Sequence, residues 1–136
     1  MRANFDLEDS FVVSSGEFWA DLHNDFHFDG VEVHWDDRTA TLAWSRASGA
    51  WVRKDAPLTM RMVFANVTFL LMNLGQADGD PRTVDTVGYI RCDAPATEQG
   101  FLPDRRDETD HLVLMWVNGG YLRIYADSAT LEVMPM

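Results

Sequence analysis

Apolar and polar residues alternate one by one over 31–44, and only a short polar stretch, 36–39, interrupts the alternation. Alternation with period two is typical of a β-strand that buries one face, so the pattern predicts two strands joined by a turn. Asp37-Arg38 suits a two-residue type I′ turn poorly, which favours a four-residue loop over 36–39. The predicted apolar face consists of three cross-strand pairs, Trp35 with Ala40, Val33 with Leu42 and Val31 with Trp44.

A second hairpin is predicted around Asn118-Gly119-Gly120, between strands over 111–117 and 121–125. A two-residue Asn-Gly loop would pair Trp116 with Tyr121 and mix apolar with polar residues on each face. A three-residue loop instead gathers the apolar residues on one side. The favoured register has three apolar pairs, Trp116 with Leu122, Leu114 with Ile124 and Leu112 with Ala126.

Between the hairpins, the apolar positions of 58–71 change phase. They are even-numbered up to Phe64 and odd-numbered from Val67, so a β-bulge or a bend is predicted at Ala65-Asn66. Further strands are predicted over 84–91 and 131–134. Loops are expected where Gly, Pro and Asp are frequent, over 75–83 and 93–110.

One stretch has the pattern of a short helix. Ser14 and Glu17 have the spacing of a capping box, and the residues behind them include an apolar stripe at Phe18, Trp19 and Leu22. The neighbouring residues 11–13 are equally compatible with a strand, so both alternatives stay open for this part of the chain.

The fold class follows from these patterns. At 136 residues, of which 46% are hydrophobic, the chain is long enough for one well-packed core and short for two. We predict a single domain over 1–136 of mainly β class, with seven to nine strands. The expected architecture is an antiparallel, hairpin-built sheet that is curved or sandwiched, with one or two short helices.

The charge balance limits the partners that the chain can attract. Asp and Glu number 22 against 11 Lys and Arg, which gives a formal net charge of −11. Such a surface repels phosphate backbones and anionic membranes, so we expect no nucleic-acid and no membrane partner. A basic protein partner is favoured instead.

Cysteine usage and the terminal sequence predict a cytoplasmic protein. Cys92 is the single cysteine, which excludes an intramolecular disulfide, and it is expected to be a small buried side chain. The first ten residues contain three acids and no apolar run, unlike a secretory signal. The most apolar stretch, 60–74, is interrupted by polar residues and is too short to span a bilayer.

The segment 21–29 carries the donor groups of a candidate metal site. In an extended chain, His23, Asp25, His27 and Asp29 would share one face, and Leu22, Phe26 and Phe28 the other. Imidazoles and carboxylates are suitable ligands for zinc, yet His23 and His27 would then lie about 13 Å apart. A helix would bring the two histidines together but would move the acids away. A solvated polar face is the simpler interpretation. For the alternative of a metal site, His23 and His27 are the candidate ligands.

Catalysis has little support in the sequence. The second predicted hairpin places His111 opposite Asp127, where a carboxylate could orient an imidazole, but no Ser or Cys nucleophile is implied nearby. A surface ion pair is the simpler interpretation. We therefore expect neither an enzyme nor a bound cofactor. Other carboxylates lie in predicted loops without calcium-loop spacing, at Asp78, Asp80, Asp85, Asp104, Asp107, Glu108 and Asp110.

Three short runs of the chain share features with one bacterial family. The run 21–25 leads into the strand at 31–35, the strand over 58–67 ends in Phe64-Ala65-Asn66-Val67, and 120–133 has the pattern of two closing strands. In these runs, which cover less than half of the chain, it resembles a loose group of small β proteins. Some members are immunity proteins of polymorphic toxin systems. Asn24 stands where the family usually has Asp, and the resemblance implies a fold but no catalytic residues.

Three functions of different classes follow as hypotheses. The first is a cytoplasmic binding protein of immunity type with a basic partner, which the charge and the resemblance favour. The second is a homo-oligomeric structural module, such as a homodimer that forms by pairing of hairpin edges. The third is a metal- or small-ligand-binding protein that uses His23, His27 and His34.

Overall fold

The computed structural model describes residues 1–95 and 107–134, which form ten β-strands. No helix occurs in these ranges, so the mainly β class is confirmed and the expected short helices are not found there. The strands are β1 (Arg2–Ala3), β2 (Asp6–Glu8), β3 (Val12–Ser15), β4 (Phe18–Asp21), β5 (Phe26–His34), β6 (Thr39–Arg46), β7 (Thr59–Asn73), β8 (Val84–Ile90), β9 (His111–Trp116) and β10 (Tyr121–Met134).

Of the two alternatives left open behind Ser14, the strand is confirmed and the helix is wrong, because this part of the chain is a β-hairpin. Strands β3 and β4 pair antiparallel, with Val13 opposite Ala20. Gly16 lies in the turn with a φ of +62°, a left-handed conformation that favours glycine. Val13 and Ala20 are buried while Trp19 points outward, so the local burial has period two and not the period of a helix.

Two sheets share one hydrophobic core. The larger sheet has the order β5-β6-β7-β10-β9-β8, with β1 added parallel to β10, and the smaller one has the order β2-β3-β4. The larger sheet curls until its two ends meet, since the Phe28 N–H donates to the Arg82 carbonyl at 2.8 Å, just before β8. Core residues such as Leu7 and Val13 come from the smaller sheet. This confirms the expected antiparallel, curved sheet.

Strands β7 and β10 pair along almost their whole length and run through both halves of the curled sheet. The predicted irregularity in β7 is confirmed: Asn66 has a φ of +55°, and the register shifts beside it. Tyr125 lies opposite Phe69 and Ala126 opposite Val67, so Thr68 is the extra residue of a β-bulge. The predicted last strand over 131–134 is the continuous end of β10.

Both predicted hairpin registers are wrong by two residues, although the faces are right. Val33 lies opposite Ala40, and Leu122 lies opposite Leu114. The loops are therefore 35–38 and 117–120, and Arg38 closes the first of them with a φ of +56°. A shift by two residues keeps each side chain on its face, because side chains alternate with period two.

The first register change moves one tryptophan out of the core. Trp35 lies in the loop between β5 and β6 and is 84% exposed, so its predicted place on the buried face is wrong. The aromatic centre of the core lies further along the same strands. The ring of Phe28 is 5.4 Å from that of Trp44 and 4.9 Å from that of Trp116.

Replacing either tryptophan of the first hairpin by alanine tests this arrangement. We expect Trp44→Ala to lower the free energy of unfolding by about 3–5 kcal/mol, because it removes a fully buried ring from the core. Trp35→Ala is the matched control and should stay within about 0.5 kcal/mol of wild type. Urea denaturation measures both. Equal losses in the two variants would contradict the register.

Candidate functional site

The predicted metal ligands have separate partners in the structure. Residues 22–25 form a turn in which the Asp21 carboxylate accepts from the His23 N–H at 3.0 Å, so the face predicted for an extended chain is not formed. The His23 Nδ1 lies 2.7 Å from the Val84 carbonyl. Asp25 is buried and pairs with the Arg53 guanidinium at 3.2 Å.

The remaining candidate ligands, His27, Asp29 and His34, belong to β5. The Asp29 carboxylate pairs with Arg82 at 2.8 Å, and His34 lies 2.9 Å from the Glu32 carboxylate. His27 has a buried Nδ1. Within 1–95 and 107–134, no group of three or more His, Cys, Asp or Glu side chains is placed to hold a metal ion. Metal binding by His23 and His27 therefore stays a prediction. The buried set of the same segment, Leu22, Phe26 and Phe28, is confirmed.

The predicted pairing of His111 with Asp127 is wrong. The register of β9 and β10 places Leu112 opposite Ile124, and the Asp127 carboxylate accepts from the Asn66 side chain at 2.7 Å instead. His111 Nδ1 accepts from the Arg123 Nε at 2.9 Å. The difference has the same origin as the register shift of the hairpin, because a turn that lies one residue earlier in the chain moves every pair by two positions.

Arg123 is a structural centre that the sequence did not indicate. Its side chain is 3% exposed and donates to four main-chain carbonyls at 2.9–3.2 Å, in addition to His111. These bonds hold the segment after β8 against β9 and β10. The carbonyls belong to Arg91, Cys92, Ala94 and Pro95. Cys92 contributes its backbone while its thiol side is exposed, so its predicted burial is wrong.

The environment of His111 lowers the pKa of its imidazole below 6.5. Burial is the main cause, the neighbouring Arg123 charge adds to it, and Asp110 acts in the opposite direction. The rings of Phe69 and Tyr125 also pack against the imidazole. His111 is thus held neutral, which is the form that can accept the Arg123 hydrogen bond.

Stability should therefore depend on pH through His111. Because the pKa is lower in the folded state, the unfolded chain takes up the proton first, and stability falls as the pH drops below about 6.5. Thermal unfolding between about pH 7.5 and 5.5 measures the effect. His111→Gln keeps an acceptor but does not titrate, so its melting temperature should fall less over this range. Parallel curves for the two proteins would contradict the assignment.

One edge of β7 is a candidate binding surface. Strand β6 pairs only with Thr59–Phe64, so β7 continues past it with one edge unpaired among the described residues. Beyond Phe64 on this side, the Val67 N–H donates to the Arg38 carbonyl at 2.8 Å, and there the pairing ends. The segment 67–77 contains no charged residue, although 24% of the chain is charged. Natural proteins usually protect such an edge with charge or proline.

A cleft lies at each end of this edge. The hairpin cleft, of about 270 Å³, lies between the β5–β6 loop and β7 and is lined by Val33, Trp35, Arg38, Val67, Phe69 and Leu70 among others. The aromatic cleft, also about 270 Å³, lies where β7 ends and is lined by Phe28, Met72, Leu74, Pro81, Arg82 and Trp116 among others. Together with the β7 edge between them, they form a surface that we call the β7 groove.

The walls of the aromatic cleft are held by specific contacts. The buried Asn118 side chain donates to the Leu74 carbonyl at 2.9 Å, which fixes the β9–β10 loop to the chain that leaves β7. Asp80 accepts from the Thr83 hydroxyl and from the Arg82 N–H, and these bonds lower the pKa of its carboxyl. Leu74 is 78% exposed, but its backbone is therefore held in place.

Substitution of Gly75 tests how closely the wall of the aromatic cleft is packed. It has a φ of +73°, and an added Cβ would lie 2.4 Å from the Gly120 nitrogen. Gly16 has a φ of +62° with nothing within 4 Å, so Gly16→Ala should cost only the left-handed strain of about 1–2 kcal/mol. Gly75→Ala should cost at least about 1 kcal/mol more, because backbone must move. Urea unfolding measures both, and equal costs would contradict the contact.

The segments that border the β7 groove are acidic on balance, while β7 itself carries no charge there. The bordering segments, 28–39 and 74–83, contain six carboxylates and two arginines. Two of the acids already have cationic neighbours, as Asp29 has Arg82 and Glu32 has His34. The exposed Asp36 and Asp78 extend the negative charge at the two ends. An uncharged strip with anionic borders fits a partner with apolar side chains and flanking positive charge.

No protein-family model matches this chain, and comparisons with curated proteins and with solved structures find no match. In the two described ranges, no helix is long and apolar enough to cross a membrane. The function is therefore inferred from the β7 groove and its charges.

Proposed function

We propose that this chain is a non-enzymatic, cytoplasmic binding protein whose β7 groove binds a segment of a basic partner protein. The observation that supports the proposal most is the contrast within one surface. The uncharged end of β7, 67–73, crosses a region whose borders, 28–39 and 74–83, carry six carboxylates and two arginines. Apolar contacts in the two clefts would supply affinity, and the acidic border would speed the encounter.

The resemblance to a family that includes toxin immunity proteins is consistent with this proposal. An immunity protein acts by binding and needs no catalytic centre of its own. A basic toxin would be attracted by a net charge of −11, and the same charge would keep the protein away from nucleic acid. The toxin is therefore the first partner to consider.

A homo-oligomeric module is the second candidate, and the same unpaired edge of β7 favours it. Identical strands can pair across a two-fold axis when an edge is free and uncharged. Two copies would, however, each carry a formal net charge of −11. This repulsion favours a basic partner over a second copy.

A selection from random peptides tests the proposed function. We expect immobilised protein to enrich dodecapeptides that combine apolar residues with Lys and Arg from a phage-displayed library. Their affinity should fall about tenfold or more between 50 and 500 mM NaCl, because charge attraction is screened. Fluorescence anisotropy of labelled synthetic copies measures the affinity.

Charge-reversal variants locate the binding surface. Asp36→Lys with Asp78→Lys changes two exposed acids at the groove border, and Glu8→Lys with Glu17→Lys makes the same change on the three-stranded sheet. We expect the first pair to weaken binding about tenfold and the second less than about threefold. Peptides without positive charge, or equal effects of the two pairs, would contradict the proposal.

A further inference from the structure

We infer that the bound segment joins the larger sheet as an additional antiparallel strand, paired with the free edge of β7 at Leu70 and Met72. This inference rests on the proposed function and adds the binding mode and the sequence pattern of the partner. Addition of a strand to an exposed edge uses main-chain hydrogen bonds for affinity and alternate side chains for specificity. The described geometry indicates which groups of β7 are available.

The direction of the backbone groups follows from the neighbouring hairpin. The Trp116 N–H donates to the Gly120 carbonyl at 2.9 Å, so Gly120 and every second residue after it in β10 bond to β9. The residues between them, including Arg123, therefore bond to β7. By the same alternation in β7, the N–H and C=O groups of Leu70 and Met72 face away from β10. No described residue bonds to them on that side.

The side chains of the same two residues point into the curled sheet. Met72 lies opposite Leu122, and Leu70 lies opposite Ile124. Both partners in β10 are fully buried, so Leu70 and Met72 share the inner face with them. Met72 lines the aromatic cleft and Leu70 lines the hairpin cleft. A strand beside them would therefore direct every second side chain into a cleft.

The partner segment that fits this edge is extended, apolar and basic at its ends. Its two residues opposite Met72 and Leu70 would be separated by one residue, about 7 Å apart along the strand. An aromatic or large aliphatic side chain opposite Met72 would reach Phe28 and Trp116 in the aromatic cleft. Lys or Arg on either side would face the acidic borders. The expected pattern is basic, apolar, any residue, apolar, basic.

N-methylation of the selected peptide tests the binding mode, because a methyl group removes one backbone donor without changing the side chain. Methylation of the two apolar residues, whose N–H groups would face β7, should weaken binding about tenfold or more at each position. Methylation of the residue between them should weaken it less than about threefold, since that N–H would face away. The wild-type protein is used throughout.

The outcomes separate this inference from the proposed function. Salt-dependent binding that is equally sensitive, or equally insensitive, to methylation at every position would overturn strand addition and leave a basic partner standing. A selection that returns no binder would overturn both. Weaker binding after methylation of either apolar residue, with little change at the residue between them, would support both strand addition and the proposed function.

A pair of protein variants supplies the complementary test. Met72→Lys places a charge on the inner side of the free edge, whereas Val117→Lys makes the same change in the exposed β9–β10 loop. We expect the first to weaken peptide binding about tenfold and the second to leave it within about twofold, with both proteins folded by circular dichroism. Sedimentation that shows a dimer in wild type and a monomer in Met72→Lys would make a second copy the occupant and would overturn a peptide partner.

Discussion

The pairing of β7 with β10 is the interaction on which the rest of the structure depends. These are the two longest strands, and each runs from one half of the curled sheet into the other. The bulge at Thr68 and the left-handed Asn66 lie where the pair changes its partners, from β6 on one side to β9 on the other. Curvature produced at a bulge allows two strands to serve both halves of one core.

The faces of the strands could be predicted from the sequence, but their registers could not. Alternation shows which side chains are buried, and a shift by two residues leaves that pattern unchanged. The choice between registers depends on where the turn begins, and each observed turn begins one residue earlier in the chain than the predicted one. The bend in β7 was predictable because a bulge leaves a phase change in the apolar pattern at Ala65-Asn66. The helix at Ser14 failed because Gly16 closes a tight turn there.

The candidate site was less predictable, because it depends on differences between elements that are distant in sequence. The β7 groove exists because β7 is longer than the strand that pairs with its outer edge. Nothing local in 67–77 indicates which neighbour stops short, although the absence of charge in that run was visible. Arg123 is a similar case. It occupies an outward position in an alternating strand, and only the fold brings the carbonyls after β8 to it.

The place of β10 in the chain has a consequence for synthesis of the protein. Strand β7 has its β10 edge open along almost its entire length until Tyr121–Met134 has left the ribosome, and beyond Phe64 its other edge is open as well. The parallel pair of β1 with Ser128 and Ala129 also waits for this last strand. Contacts so distant in sequence make folding slow. The uncharged end of β7, which we propose as a binding edge, is thus also exposed to other unfinished chains during synthesis.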